Sequence, residues 1–429
     1  MKKRWMFSLL CCVIFLWSPT ASAEVQYHLT TRLTTGVEYD DNIYLDADHE
    51  KDDFNVTISP EIEWRAEAEH AGLSLVYAPG FNVYEDDSSL DYVSHSLALS
   101  TYCQPYEAVL FEFDNHFLQS EDPLDDSLRD YRDDVVRGYD ERSGRDTYYR
   151  NDASFRTTYT FGDGRFVRAG YRFGLLENDN PLDEDSKEHE VSGHLGFRFD
   201  PRNLVDVDYV FDRGLFDGPD DFVSQSGMVR YTRTITPALD IYGEVGYTDF
   251  TYDRSSLDDD YQEYEGNLGF TYRFWEFYTL DVSYGRYDRN ADGAGEDASG
   301  NNYHASLARV FEHKSFSLSF DQGSDVDYFD GSSNGYTEFW RLQASFSYLF
   351  ADRWTFTGRG MVGNDDYQDA LSANEEDSYQ VSTSLSYQML PWLSVIVEYT
   401  YDENDSTDDL DDYVDNRIAL RLSGSWDIF

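Results

Sequence analysis

Cysteine, lysine and long apolar runs are what this chain of 429 residues has least of. Of its 3 cysteines, Cys11 and Cys12 sit in the opening segment, which leaves Cys103 alone and excludes an internal disulfide framework. Beyond the opening residues lysine occurs as Lys51, Lys187 and Lys314, so the basic charge is almost all arginine. No stretch past the opening segment approaches the roughly 20 apolar residues of a membrane helix. Zinc-ligand spacing and a phosphate-binding glycine loop are also missing, so no cofactor and no metal ligand set is expected. Basic charge is outnumbered: 33 Lys+Arg face 84 Asp+Glu, and the net charge of −51 repels phosphate and excludes a nucleic-acid partner.

Such acidity usually marks a disordered chain, but 17% of the residues are aromatic, with 35 Tyr and 29 Phe. Both facts hold only if charge and aromatic surface are segregated. The opening MKKRWMFSLLCCVIFLWSPTASA has a basic start, an apolar stretch from Met6 to Trp17 and an Ala21-Ser22-Ala23 ending. That pattern predicts a signal peptide over residues 1–23, removed after Ala23, with residues 24–429 as one domain. Bulky Leu10 ahead of Cys11 argues against lipidation.

Period-two alternation begins at once. Val25, Tyr27, Leu29, Leu33, Val37 and Tyr39 share one face, and Gln26, His28, Thr30, Arg32, Thr34 and Glu38 the other. It recurs through Phe54–Glu69, with Ile62 and Trp64 opposite Glu61, Glu63, Arg65 and Glu67, and continues to the C-terminus. Short turns, such as HAG at 70–72, CQPY at 103–106, GDGR at 162–165 and LPW at 390–392, alternate with long acidic connections such as DENDSTDDLDD at 402–412. Hairpins of that kind predict an all-β fold, a transmembrane antiparallel up-and-down β-barrel. It would have about 20 strands (roughly 18–22), short periplasmic turns and long acidic extracellular loops in the bacterial outer membrane. Two aromatic girdles are expected. One comprises Trp275, Trp354, Trp392, Trp426, Phe161, Phe166, Phe199 and Phe277 near the short turns. Tyr39, Tyr84, Tyr92, Tyr148, Tyr252, Tyr261 and Tyr379 beside the long loops form the other. GVEYDDNIYL at 36–45 then reads as the first strand leaving lipid at Tyr39 and entering an exposed acidic loop. Pro60 and Pro79 each remove a ladder donor, which predicts bulges or kinks at a similar height.

The face opposite the apolar one supplies the pore-lining candidates. They are Arg32, Glu61, Glu63, Arg65, Glu67, Arg156, Arg168, Arg172, Asp206, Asp208, Glu263, Glu265, Arg273, Arg341, Arg359, Arg417 and Arg421. Two roles compete with equal weight: a charged path for a polar solute, or forked arginine–carboxylate pairs that stiffen the wall. Residues 122–138, DPLDDSLRDYRDDVVRG, carry a helix signal with Asp122 as cap and Pro123 in the first turn. Folded inward or lying across the mouth, that segment makes Asp122, Arg129, Arg132, Asp133, Asp134 and Arg137 candidates for a constriction or lid. The acidic loops invite a calcium reading at DENDSTDD and NADGAGEDASG, but neither has EF-hand spacing, and a solvated surface bridged to lipopolysaccharide by diffuse cations is the plainer alternative. Ser94, His95 and Ser96 lie together without a distinctive third member, so no enzyme is expected.

The segment TTGVEYDDNIYLDADHEKDDFNVTISPEIEW at 34–64 resembles the start of outer-membrane β-barrel porins of the beta-barrel porin 2 type, including those found with exopolysaccharide biosynthesis and export systems. The C-terminal RIALRLSGSWDIF ends in Phe, resembling the signal read by the barrel assembly machinery, although Phe429 is one residue out of step with the Ile418, Leu420, Leu422, Trp426 and Ile428 stripe. The resemblance implies a conduit for polysaccharide or another polar solute, working with outer-membrane lipid, lipopolysaccharide and polysaccharide export components, and it implies no catalytic residues. The alternative is a structural or surface-interaction barrel whose acidic loops bind cations.

Overall fold

The computed structural model of the protein describes residues 24–47, 49–122, 145–180, 185–217, 221–252, 260–275, 277–291, 297–326, 336–367, 374–407 and 412–429. Its first ten strands are β1 (Gln26–Asp40), β2 (Asp53–Ala68), β3 (Ala71–Tyr84), β4 (Tyr92–Tyr106), β5 (Val109–Ser120), β6 (Tyr148–Gly162), β7 (Arg165–Asn178), β8 (Ser186–Asp200), β9 (Asn203–Phe216) and β10 (Phe222–Thr236). The rest are β11 (Leu239–Tyr252), β12 (Tyr261–Phe274), β13 (Tyr278–Ala291), β14 (Ala298–Phe311), β15 (Lys314–Val326), β16 (Tyr336–Phe350), β17 (Trp354–Tyr367), β18 (Asn374–Leu390), β19 (Leu393–Ser406) and β20 (Tyr413–Asp427). Each pairs antiparallel with the next, and β1 also pairs with β20, Asp40 standing opposite Arg417. The 20-stranded sheet is closed, so no strand edge is left to lipid.

Strand length follows from the span to be crossed. A strand of 14 residues such as β12 rises roughly 46 Å at about 3.3 Å per residue. Tilted by about 40°, it climbs roughly 35 Å, against an apolar band of roughly 25 Å. The strands therefore outrun the bilayer, and their ends meet water. Even strand number returns both termini to the short-turn end, where Ile428 N–H donates to Leu29 O and Leu29 N–H donates to Phe429 O. Phe429 thus extends the β1 ladder by one bond while its ring stays exposed.

Alternation orients the side chains. Leu33, Val37, Ile58, Ile62, Tyr171, Val245, Leu268, Leu385 and Leu420 stand exposed on the outer face, as a lipid-facing band requires. Pro60 and Pro79 occur at the same height, between the pairs Ile58–Phe81 and Ile62–Tyr77. The ladder skips them without shifting register, so the expected bulge is absent: two opposed prolines remove donors symmetrically and leave nothing to displace. The first short turn on the C-terminal side of β4 falls at Glu107 and Ala108 rather than at 103–106, because the register shift between Cys103 and Tyr106 absorbs Gln104 and Pro105 into the strand.

The loop-side girdle is only partly outward. Tyr39 and Tyr379 lie on the outer face, but Tyr84, Tyr92, Tyr148 and Tyr261 are buried on the inner one. Tyr252 packs beside Phe250 in the same inner layer. Phe166 likewise turns inward and stacks on His194 at 5.1 Å. Proximity to a loop does not set the side of the wall; odd or even position along the strand does.

The stretch after Asp41 also departs from expectation. Asn42, Ile43 and Leu45 are buried, and Ile43 packs with Tyr84 and Tyr92 while Leu45, at φ 54°, packs with Tyr413. Asn42 donates to the carbonyls of Asp46 and Val414, both at 3.1 Å, and accepts from Asp46 N–H at 3.1 Å. GVEYDDNIYL therefore folds back over the inner face instead of entering solvent, because one amide closes its own loop and reaches β20 at once. Further along that loop Lys51 Nζ lies 2.9 Å from Asp87, whose carboxyl is held down to about 2 by the Ser89 hydroxyl first and the Lys51 ammonium second. A carboxyl so depressed keeps its pairing at every pH above its unfolded value and loses it only as pH falls through about 2. Asp87→Asn should accordingly speed tryptic cleavage after Lys51 at neutral pH, compared by peptide mapping of the folded barrel.

Candidate functional site: the inner wall

Strand parity puts the pore-lining candidates on the face opposite the apolar band. Arg32 adjoins exposed Leu33, Glu61 and Glu63 flank Ile62, Arg156 follows Phe155, Arg168 follows Val167, and Arg172 follows Tyr171. Asp206 and Asp208 flank Val207 on β9; Glu263 and Glu265 flank Tyr264, Arg273 follows Tyr272, and Arg341 lies between Trp340 and Leu342. Arg65 and Glu67 continue the Glu61 row, Arg359 stands opposite Ser345, Arg417 precedes Ile418, and Arg421 lies between Leu420 and Leu422. Asp122 N–H donates to Ser120 Oγ at 3.2 Å, and its carbonyl accepts from Tyr148 OH at 3.1 Å. Arg129, Arg132, Asp133, Asp134 and Arg137, with the helix expected around them, lie outside the described residues.

Pairing divides these groups. Arg32 meets Glu61 at 3.0 Å, and Arg65 grips Glu63 through two bonds of 2.6 and 3.0 Å. Arg172 reaches Asp152 at 3.5 Å, Arg273 reaches Asp240 at 2.9 Å, and Arg341 reaches Asp365 at 2.7 Å. Arg421 bridges Glu398 at 2.6 Å and Glu38 at 3.1 Å, tying β19, β20 and β1 together. Asp206 and Asp208 converge on His194. Forked pairs of this kind cancel charge locally and stiffen the wall. Arg156 and Arg168 differ: both are exposed, and among the described residues no carboxylate stands within ion-pairing distance of either. Arg168 bonds the Thr158 hydroxyl at 3.3 Å instead. Most of the candidate arginines are thus tied to a carboxylate, whereas Arg156 stands across the β5–β6 pair from Glu112 without ion-pair contact and Arg168 is held by a hydroxyl.

One hollow of about 450 Å³ opens in the wall between β10 and β16. Its floor holds Arg230, Tyr242, Glu244, Asp281, His304 and Asp321. Arg230 pairs with Glu244 at 2.6 Å and lies 4.6 Å above the Tyr242 ring, whose hydroxyl donates to Asp281 at 2.7 Å. His304 stands between Asp321, at 2.5 Å, and Asp281, at 3.8 Å. Asn267 bonds Glu244 at 2.9 Å, and Asn302 bonds Glu265 at 3.3 Å. Across from Tyr242, Gly269 leaves room for the ring: a Cβ there would come within 2.4 Å of it. Of the pore-lining candidates, Glu263 and Glu265 adjoin this hollow through Ser324 and Asn302; Arg230, Glu244, Asp281, His304 and Asp321 are not among those candidates. Parity could have found them, since Arg230 sits between outward Val229 and Tyr231 and His304 follows outward Tyr303. Their convergence needs the six neighbouring strands β10 to β15 in register, which no single strand displays.

Catalytic machinery is not assembled from the serine–histidine group. His95 faces outward, bonded to Tyr77 OH at 2.9 Å, whereas Ser96 faces inward toward His116 at 3.3 Å, so alternation sends the pair to opposite sides of the wall.

Closed antiparallel strands, an exposed apolar band and a charged interior define an outer-membrane barrel of porin type. The family described as "Putative beta-barrel porin 2" matches residues 217–424, from the connection after β9 into β20. No curated protein matches the sequence. Among solved structures, the siderophore receptor PirA of Pseudomonas aeruginosa is similar at TM-score 0.53 and 10% identity, covering 93% of this chain and 80% of that one. PirA of Acinetobacter baumannii is similar at 0.52 and 9%, covering 95% and 81%. OpdK of Pseudomonas aeruginosa, solved with vanillate, gives 0.44 and 12%, covering 93% and 99%. At such identities the likeness is one of fold. The chain is thus an outer-membrane porin-like barrel, and the family model that matches its C-terminal half is one of porins.

Proposed function

We propose that the barrel conducts a polar solute, with a polysaccharide as the cargo class its interior suits best. The observation that carries this reading is the hollow between β10 and β16. Carboxylates and amides there can accept and donate to vicinal hydroxyls, while the Tyr242 and Phe339 rings offer apolar faces to C–H surface. Mixed, mostly paired charge elsewhere suits a neutral or weakly charged chain better than a strongly anionic one. Planar-bilayer recording of the purified protein tests it. Stable open steps are expected, with oligosaccharide-induced blockades that shorten in Asp281→Asn; a folded barrel that never opens would count against conduction. Replacing Arg156 and Arg168 together by Gln should shift the reversal potential in a salt gradient toward cation selectivity, since both are exposed and neither is tied up in an ion pair among the described residues.

A second reading has its own support. Ile43, Leu45, Tyr84 and Tyr92 are buried inside the loop-side mouth, which narrows it and fits a structural or surface-interaction barrel. Silence in the bilayer from folded protein would favour that role.

A further inference from the structure

The seam where the first and last strands meet carries more buried carboxylate than its cations balance. Asp40 ends β1, Asp41 follows it, and Asp415 lies near the start of β20; one carboxylate oxygen from each falls within 4.8 Å of the others. Asp415 is 1% exposed, and its Oδ1 accepts no hydrogen bond, while Oδ2 lies 3.0 Å from Arg417 Nε. Directly across the β1–β2 pair from Asp40 stands Asp53, 2% exposed. Its Oδ1 takes the N–H groups of Phe54 and Asp86, and its Oδ2 accepts none. Two buried carboxylate oxygens on either side of Asp40 are therefore left without a donor.

The nearby cations are committed elsewhere. Lys51 holds Asp87, and Arg145 donates to Tyr84 OH at 2.8 Å. Arg417, opposite Asp40, supplies one positive charge against the three carboxyl groups, so the cluster carries excess negative charge that, with no cation bound, a proton shared between Asp40 and Asp415 can relieve only in part. Buried charge in that excess is unfavourable unless an ion or a proton relieves it. An all-oxygen donor set selects a hard cation. Calcium binds oxygen at about 2.3–2.6 Å in a flexible sphere, so oxygens within 4.8 Å of one another fit around one ion, whereas magnesium demands a near-ideal octahedron and gives up its waters reluctantly. Asp41 is partly exposed and is oriented by Asn416, whose N–H and Nδ2 donate to it at 2.7 and 2.9 Å, so the site has both a fixed ligand and a path to solvent.

We infer that Asp40, Asp41 and Asp415 form a binding site for a divalent cation of the calcium class, which clasps β1 to β20 at the loop-side end of the barrel seam. The strands it joins are the most distant in sequence of any pair in the sheet, so closing them costs the most chain entropy, and a cation held by both offsets that cost. The site lies in the wall and stands whether or not the barrel conducts.

Isothermal titration of CaCl2 into the folded, chelator-treated barrel in detergent micelles tests the inference, with MgCl2 in parallel. One saturable calcium site per chain is expected, with a dissociation constant on the order of 10⁻⁴ to 10⁻³ M and weaker magnesium binding. Asp415→Asn and Asp41→Asn should each abolish it, while Glu312→Gln in a turn at the far end should leave it intact. Calcium should also raise the temperature at which the barrel loses its compact migration on gels, and the two seam variants should lose that rise. Asp41 is partly exposed, so its variant decides the matter should Asp415→Asn fail to fold. Non-saturating heats alone, or a saturable site that survives Asp41→Asn, would overturn the inference.

Discussion

Replacing Leu268 by Arg is expected to lower the stability of the barrel by about 2–4 kcal/mol. Leu268 sits midway along β12, between Gly243 of β11 and Tyr284 of β13, and is 74% exposed on the outer face. Its neighbours Val245 and Tyr284 are exposed on that side too, so no carboxylate is at hand to receive a guanidinium. In water such a change would be nearly neutral; the cost arises because the surroundings at that height are hydrocarbon. Depth supplies the control. Tyr272→Arg, four residues nearer the short-turn end of the strand, should cost about 0–1 kcal/mol, because charge near the interface reaches water. Urea titration of the barrel in lipid vesicles, followed by tryptophan fluorescence, measures both. Equal costs would mean that Leu268 does not face the bilayer centre.

Phe250→Ala should cost about 3–5 kcal/mol, the range for emptying a packed aromatic site. Phe250 is 1% exposed although it points into the barrel. Its ring stacks on Phe222 and Tyr261, each at 5.1 Å, and meets Tyr252 edge-on at 4.8 Å. Phe216 completes a cluster that joins β9, β10, β11 and β12 on the inner side of the loop end. The same urea titration reports the loss. Phe81→Ala, on the outer face where the ring is exposed to lipid, provides a contrast and should cost less, since lipid can fill the space. If Phe250→Ala lies within about 0.5 kcal/mol of wild type, the cluster is not a packed core.

Much of this architecture is legible one strand at a time. Alternation of Val37 and Tyr39 with Glu38, or of Tyr264 with Glu263 and Glu265, states which side faces lipid before any partner strand is known. Turn length separates the two ends of the barrel in the same local way. Parity was also available for the tyrosines at the loop end. Tyr84 and Tyr92 flank a loop, as a girdle would, yet each adjoins an outward valine: Tyr84 follows Val83 and Tyr92 precedes Val93. Odd or even position along the strand, and not distance to the loop, sets which side of the wall a ring takes.

Pairing was not legible. Arg172 and Arg156 look alike in sequence, each beside an outward aromatic, but Arg172 reaches Asp152 and Arg156 has no such partner among the described residues. The hollow at Tyr242 and the carboxylates at Asp40, Asp41 and Asp415 depend likewise on residues brought level from different strands. Sequence by itself determined the strands, their two faces, the even count and the membrane they cross, because period-two alternation is a property of each strand alone. Only the tertiary structure decided which inward charges meet, which rings are covered and where the first strand locks onto the last, because those contacts depend on register between strands and on the closure of the sheet.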